Sequence, residues 1–186
     1  MSLDLTKALR RLKPQKRTAR IVGRPDEVLA FVPFAIGGGS ELLLDTNVYI
    51  DVLQARLPEP VKQLLAARAL NHSAVAVAEL AHAFGRLDPS HPQTSRALEA
   101  IERTIDAIPG HRLNAPSAQA LVEANMLAGM IARLRGSVRA DRQPLLNDAV
   151  LYLQALEQGH TIVTRNIADF DALQQLVPEG RILFYR

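Results

Sequence analysis

Four acidic residues, Asp45, Glu79, Asp148 and Asp169, stand where an apolar strand runs out or inside an otherwise apolar helical stretch. Carboxylates drawn together out of water lose hydration and repel one another, so such a cluster is costly unless a cation joins it. A hard divalent ion held by oxygen ligands is the natural occupant if the four converge. A metal held by carboxylates, with no histidine or cysteine set beside them, points to phosphate-ester chemistry.

Each position alone has a plainer reading. Asp45 closes Leu42-Leu43-Leu44-Asp45-Thr46-Asn47, at the C-terminal edge of a buried strand, where open α/β sheets bind ligands. The same place suits a helix N-cap. Glu79 lies among the small residues of Ala74-Val75-Ala76-Val77-Ala78-Glu79-Leu80-Ala81, where it either meets a partner or faces solvent. Asp148, in Pro144-Leu145-Leu146-Asn147-Asp148-Ala149, is predicted in the first turn of a helix, where the dipole alone would favour it by about 0.3–1 kcal/mol. Thr164-Arg165-Asn166-Ile167-Ala168-Asp169-Phe170 marks another strand-to-helix edge. Asn166 is placed to cap that helix with Asp169 in its first turn, and either could reach a metal directly or through water. Arg165 could neutralise the charge of a scissile phosphate or be an ordinary arginine at a strand end.

The elements that must position these groups alternate. Strands are predicted at 42–45, 71–73, 111–113, 160–164 and 181–185. Helices are predicted at 47–56, 61–70, 75–84, 94–108, 117–134, 145–157 and 167–176. Gly159 suits a left-handed cap after the penultimate helix. Strands alternating with helices argue for an α/β fold on a parallel sheet.

With 186 residues, 48% of them apolar, the chain has material for one domain and an extension. The absence of cysteine removes disulfides, thiolate zinc sites and thiol nucleophiles. No apolar run approaches the roughly 20 residues a bilayer span needs, and Met1–Arg20 lacks an apolar signal core, so a soluble cytoplasmic protein without membrane contact is expected. The net charge of +3 is uneven. Met1–Glu27 holds eight basic and three acidic residues, net +5, leaving 14 basic and 16 acidic residues, net −2, for the rest. Such an arm is either a nucleic-acid or acidic-partner contact or a solvated extension. Val28–Ile36 reads as an edge strand interrupted by Pro33, and Gly37–Ser40 as a flexible linker without a P-loop ending. The chain therefore divides into a basic extension with linker, 1–40, and a compact domain, 41–186.

Taken together, Leu44-Asp45-Thr46-Asn47, Ala78-Glu79-Leu80, Asn147-Asp148-Ala149, and Thr164-Arg165-Asn166 followed by Asp169-Phe170 resemble the PIN-domain family in order and spacing, and within it the VapC-type toxins of toxin–antitoxin pairs. The resemblance implies a PIN-like three-layer α/β sandwich with a central parallel sheet of about five strands. It also implies a magnesium- or manganese-dependent ribonuclease, an RNA substrate, a cognate antitoxin protein and a homodimer. Asp45, Glu79 and Asp148 map onto the first three acidic positions of the family. The fourth acid of many relatives falls at Asn166, an amide here, so either Asp169 is its replacement or the site binds its second metal weakly. In that scheme Asp45 and Asp148 hold the first cation, and Glu79 and Asp169 complete the catalytic and metal site through water or a second ion.

Other enzyme classes fit poorly. There is no Gly-x-Ser-x-Gly elbow, and His72, His82, His91, His111 and His160 lack zinc-ligand spacing. An aspartyl-phosphate enzyme would want a second Asp where Asn47 stands. The alternative outside catalysis is a degenerate PIN-like protein that binds nucleic acid or regulates through its basic tail.

Overall fold

The computed structural model describes residues 3–32, 38–136 and 142–186. Five strands, β1 (Leu42–Leu44), β2 (Leu70–Ser73), β3 (Leu113–Asn114), β4 (Thr161–Thr164) and β5 (Arg181–Phe184), form one parallel sheet in the order β3-β2-β1-β4-β5. Leu42, Leu43 and Leu44 are all buried, as are Ile162 and Val163, so the central strands are covered on both faces. That is why they read as continuous apolar runs without alternation. The chain order reverses between β1 and β4, which makes their C-terminal ends the topological switch point of the sheet.

Among the described residues eight helices surround it: α1 (Leu5–Leu12), α2 (Thr46–Leu53), α3 (Glu59–Ala67), α4 (Ala74–Arg86), α5 (Thr94–Asp106), α6 (Ala118–Arg135), α7 (Arg142–Gln158) and α8 (Ile167–Leu176). The architecture is the three-layer α/β sandwich expected. Helices α6, α7 and α8 pack on one another, α2 and α5 pack on α4, and α4 also meets α7. Local chemistry sets the ends. The Ser73 hydroxyl accepts from the Val75 amide at the start of α4, and Ser117 does the same for Ala120 in α6. Gly136 closes α6 at φ 71° and Gly159 follows α7 at φ 70°, left-handed positions that cost glycine least.

Three boundaries differ from the sequence reading for physical reasons. Helix α3 ends at Ala67, because Leu70 already pairs with Leu42 in the sheet. The short element near His111 is a 3-10 turn at Gly110–Arg112, and the strand itself is Leu113–Asn114. Helix α7 starts at Arg142, taking Pro144 into its first turn where a missing N–H costs nothing.

The basic extension is folded onto the body, which corrects the reading of a solvated arm. Ala8 and Leu12 of α1 are fully buried, and Arg11 forms an ion pair with Glu123 of α6. Arg133 donates to the carbonyls of Pro14 and Arg17, both at 3.0 Å, and the Ile21 amide donates to the Leu134 carbonyl. Arg24 binds Asp171 of α8 through both its backbone amide and its guanidinium. At the far end the Phe31–Phe184 bridge lays the arm parallel to β5, with the Val32 amide donating to the Phe184 carbonyl and the Phe184 amide to that of Ala30, each at 2.8 Å. The expected edge strand at Val28–Ile36 is thus a 3-10 turn at Asp26–Val28 and a bridge at Phe31. Its remaining residues from Pro33 onward, with Gly37 of the linker, lie outside the described residues.

Candidate functional site

An open cleft of about 980 Å³ lies over the switch point, lined by Asp45, Glu79, Asp148 and Asn166 together with His82 and Arg86. Strand β1 delivers Asp45, β4 delivers Thr164 and then Asn166, α4 delivers Glu79, and α7 delivers Asp148. Three of the four acids picked out by the sequence therefore meet in one place.

Asp45 is 1% exposed and occupies the N-cap position of α2, yet its side chain makes no capping hydrogen bond. The Thr164 hydroxyl (2.6 Å) and the Asn47 amide (2.9 Å) both donate to its Oδ2 instead. Capping does not account for this aspartate. Burial pushes its carboxyl up to about 6, opposed by the Thr164 and Asn47 bonds and reinforced by the charge of Glu79. Asp148 is buried as well, and because α7 begins at Arg142 it lies beyond the first turn, where the helix dipole has faded. Burial first, then Asp45, Asp169 and Glu79, push its carboxyl up to about 9, against one favourable bond from Asn166 Nδ2 at 2.7 Å. Glu79 is half-buried, takes a bond from the Thr46 hydroxyl, and accepts from Asn147 Nδ2 at 2.5 Å.

Asp169 is placed differently. Asn166 caps α8, accepting from the Asp169 amide, and its Nδ2 lies 3.0 Å from Asp169 Oδ2. The other oxygen of Asp169 is held by Arg135 in an ion pair, and Asp169 does not line the cleft. It borders the site through Asn166. Arg165 turns away: its Nε lies 3.0 Å from Asp51, and it does not line the cleft either.

The sequence reading missed a layer of neutral donors, Thr46, Asn47, Asn147 and Thr164, each bonded to a cleft carboxylate. Part of the signal was present: Thr46 and Asn47 follow Asp45 at the sheet edge, and Asn147 precedes Asp148 in α7. It also missed His82 and Arg86, which follow Glu79 along one face of α4 at helical spacing.

None of Asp45, Glu79 and Asp148 forms an ion pair with a lysine or arginine among the described residues. Nor, among those residues, do any three carboxylate, imidazole or thiolate groups stand as a ready-made chelate. The donor chemistry nevertheless fits a hard divalent cation. Asp45, Glu79 and Asp148 offer carboxylate oxygens, no lysine or arginine among the described residues neutralises them, and the cleft is open to solvent-borne ions. Asp148 must give up a proton for such an ion to bind, so binding and proton release are linked.

No protein-family model matches the chain, and no curated protein matches it. Solved structures do. The chain is similar to one in VapBC2 from Rickettsia felis bound to a DNA fragment from its promoter, at 14% identity and a TM-score of 0.53, over 78% of this chain and 98% of that one. It is similar to one in FitAcB from Neisseria gonorrhoeae at 21% identity and a TM-score of 0.53, over 77% and 96%. A third likeness is to DNA-bound VapBC from Salmonella typhimurium, at 21% identity and a TM-score of 0.52, over 77% and 97%. These likenesses, with the parallel five-stranded sheet, establish a PIN-like fold. The solved chains are matched almost end to end, while about a fifth of this chain falls outside the match. Among the described residues no helix is long and apolar enough to cross a membrane.

Proposed function

We propose that the protein is a metal-dependent endoribonuclease and the toxin of a toxin–antitoxin pair. The observation that carries the reading is the convergence of Asp45, Glu79 and Asp148, without a cationic partner among the described residues, on one cleft at the switch point. A magnesium or manganese ion bound there would offset phosphate charge and acidify water for in-line attack on a phosphodiester. The chain's own groups prepare the place. Thr164 and Asn47 hold the Asp45 carboxylate in one orientation, and Asn166 holds Asp148. Thr46 and Asn147 fix Glu79 across the cleft, where it can orient water. Arg86, on the cleft wall, is a cation that can meet a substrate phosphate, the first of the two readings open for Arg165 in the sequence. Asp169, bound to Arg135 and Asn166, would support Asp148 as a positioning residue and would help hold an ion through water.

Likeness to chains from VapBC and FitAB complexes supports an antitoxin partner, and the exposed apolar side chains Val52, Phe84 and Leu87 on and after α2 and α4 offer it, or a second copy in a homodimer, a docking surface. Incubating the purified protein with total RNA and Mn²⁺ or Mg²⁺ tests the proposal. Cleavage is expected, abolished by EDTA and by Asp148→Asn. RNA binding with no cleavage under any divalent ion would instead favour a nucleic-acid-binding protein that has lost catalysis.

A further inference from the structure

Next to the acidic cleft, on the far side of Asp169, the arm and the end of α6 enclose a second groove of opposite charge. It has a volume of about 520 Å³ and is lined by Thr18, Arg20, Arg133, Leu134, Arg135 and Gly136. A smaller groove of about 230 Å³ continues it along the arm, past Lys16 and Arg17, and shares Thr18, Arg20 and Leu134. Arg135 links the groove to the cleft through a chain of contacts. It lines the larger groove and pairs with Asp169, whose neighbour Asn166 donates to Asp148 in the cleft.

Some of these cations have structural tasks. Arg133 pins the arm through two carbonyls, Arg135 holds Asp169, Arg17 reaches the Leu176 carbonyl, and arginines in the last turn of a helix offset its dipole. Lys16 and Arg20 do neither. Both are exposed, and among the described residues neither meets a carboxylate or a carbonyl acceptor. The arm is held rigidly on both sides of them, by Arg133 at Pro14 and Arg17 and by the Ile21 amide at Leu134. Two unpartnered cations on a backbone held in place, in grooves joined to the acidic cleft through Arg135, Asp169 and Asn166 on a body of net charge −2, are complementary to a polyanion that enters the cleft.

We infer that this groove binds the phosphate backbone of the single-stranded RNA substrate next to the scissile bond, with Lys16 and Arg20 as its phosphate contacts. The inference rests on the ribonuclease reading. It gives the extension a substrate-binding task that the compact domain cannot perform alone.

The test uses the full chain and a fluorescein-labelled single-stranded RNA of mixed sequence in EDTA, with affinity read by anisotropy between about 0.05 and 0.3 M salt. The slope of log affinity against log salt should fall by about 1.4 in Lys16→Gln/Arg20→Gln, about 0.7 per contact, with binding weakened roughly 20-fold at 0.1 M salt. Lys16→Arg/Arg20→Lys should keep the wild-type slope, and thermal melting should show both variants folded. Arg96→Gln/Arg103→Gln, which removes the same charge from α5, should change little. Wild-type affinity and slope in the glutamine pair, equal weakening in the α5 pair, or no RNA binding by wild type at the lowest salt would each overturn the inference. Cleavage with Mn²⁺ is measured in parallel. A wild type that never cleaves while the glutamine pair still loses RNA affinity would remove the ribonuclease reading and leave the groove. A glutamine pair that binds and cleaves like wild type would remove the groove alone.

Discussion

Buried acids occur in two settings in this molecule, and the contrast separates structure from chemistry. Outside the cleft, Asp51 (3% exposed), Glu123 (4%) and Asp171 (1%) each have an arginine: Arg56 and Arg165 on Asp51, Arg11 on Glu123 and Arg24 on Asp171. Asp51 also takes the Tyr185 hydroxyl at 2.8 Å, and Asp171 takes the Arg24 amide and Gln175. Inside the cleft, Asp45 (1% exposed) and Asp148 (8%) are also buried and, among the described residues, have only neutral donors. Desolvation falls on both sets; among the described residues only the first is offset by charge within the chain. The cleft acids are therefore held in a state that an outside cation relieves, whereas the paired acids are finished.

Exchanging acids for amides in the two settings should break the molecule in opposite ways. Asp148→Asn is expected to lower RNA cleavage on the order of 10³-fold, as loss of a group that organises charge in the transition state does, with the metal-free protein as stable as wild type or more so. Urea melts beside single-turnover cleavage would decide this; a large loss of stability with retained cleavage would assign Asp148 to structure. Asp171→Asn should do the reverse. It leaves Arg24 without its counter-charge, and because that arginine is about one-third exposed the cost should be about 2–3 kcal/mol in urea, with cleavage changed little.

A pH series sharpens the contrast. Asp45 and Asp148 have native values raised above their ordinary 3.8, to about 6 and about 9. A raised carboxylate binds its proton more tightly in the native state, so its contribution is fully present below about pH 4 and is lost as pH rises through the native value. The metal-free protein should therefore lose melting temperature between pH 5 and pH 9 more steeply than Asp148→Asn does. Saturating Mn²⁺ should flatten the wild-type curve. Identical slopes in wild type and variant would remove Asp148 as the source.

The smallest effect is expected from Asn166→Asp. Aspartate caps a helix as well as asparagine, so α8 should persist. The added charge next to Asp148 should tighten Mn²⁺ binding several-fold and cost the metal-free protein about 1 kcal/mol, read by calorimetric titration and by melting in EDTA. Unchanged affinity would place residue 166 outside the ion's reach.

The sequence carried the sheet because its strands are buried on both faces: Leu42–Leu44 and Ile162–Val163 are plain runs that nothing else explains. It carried Asp45, Glu79 and Asp148 because acids at strand ends and among small residues contradict their surroundings. It could not carry the pairings. That Arg165 faces Asp51, and that Arg135 holds Asp169, depends on which elements become neighbours across 114 and 34 positions of chain. Nor was α1 legible, since Ala8 and Leu12 form an apolar face only once α6 is there to receive it, and a stretch rich in Lys and Arg otherwise reads as solvated.

The bridge between Phe31 and Phe184 has a consequence for the order of events at synthesis. The cover for the outer strand is made first and the strand itself 153 positions later, a delay of about 8–30 s at ordinary rates of translation. When β5 forms, its free side meets a tethered segment of the same chain at an effective concentration that neighbouring molecules in the cell do not reach. A newly made molecule thus has the β5 margin of its sheet claimed from within as that margin forms, which disfavours sticking between nascent copies along this edge.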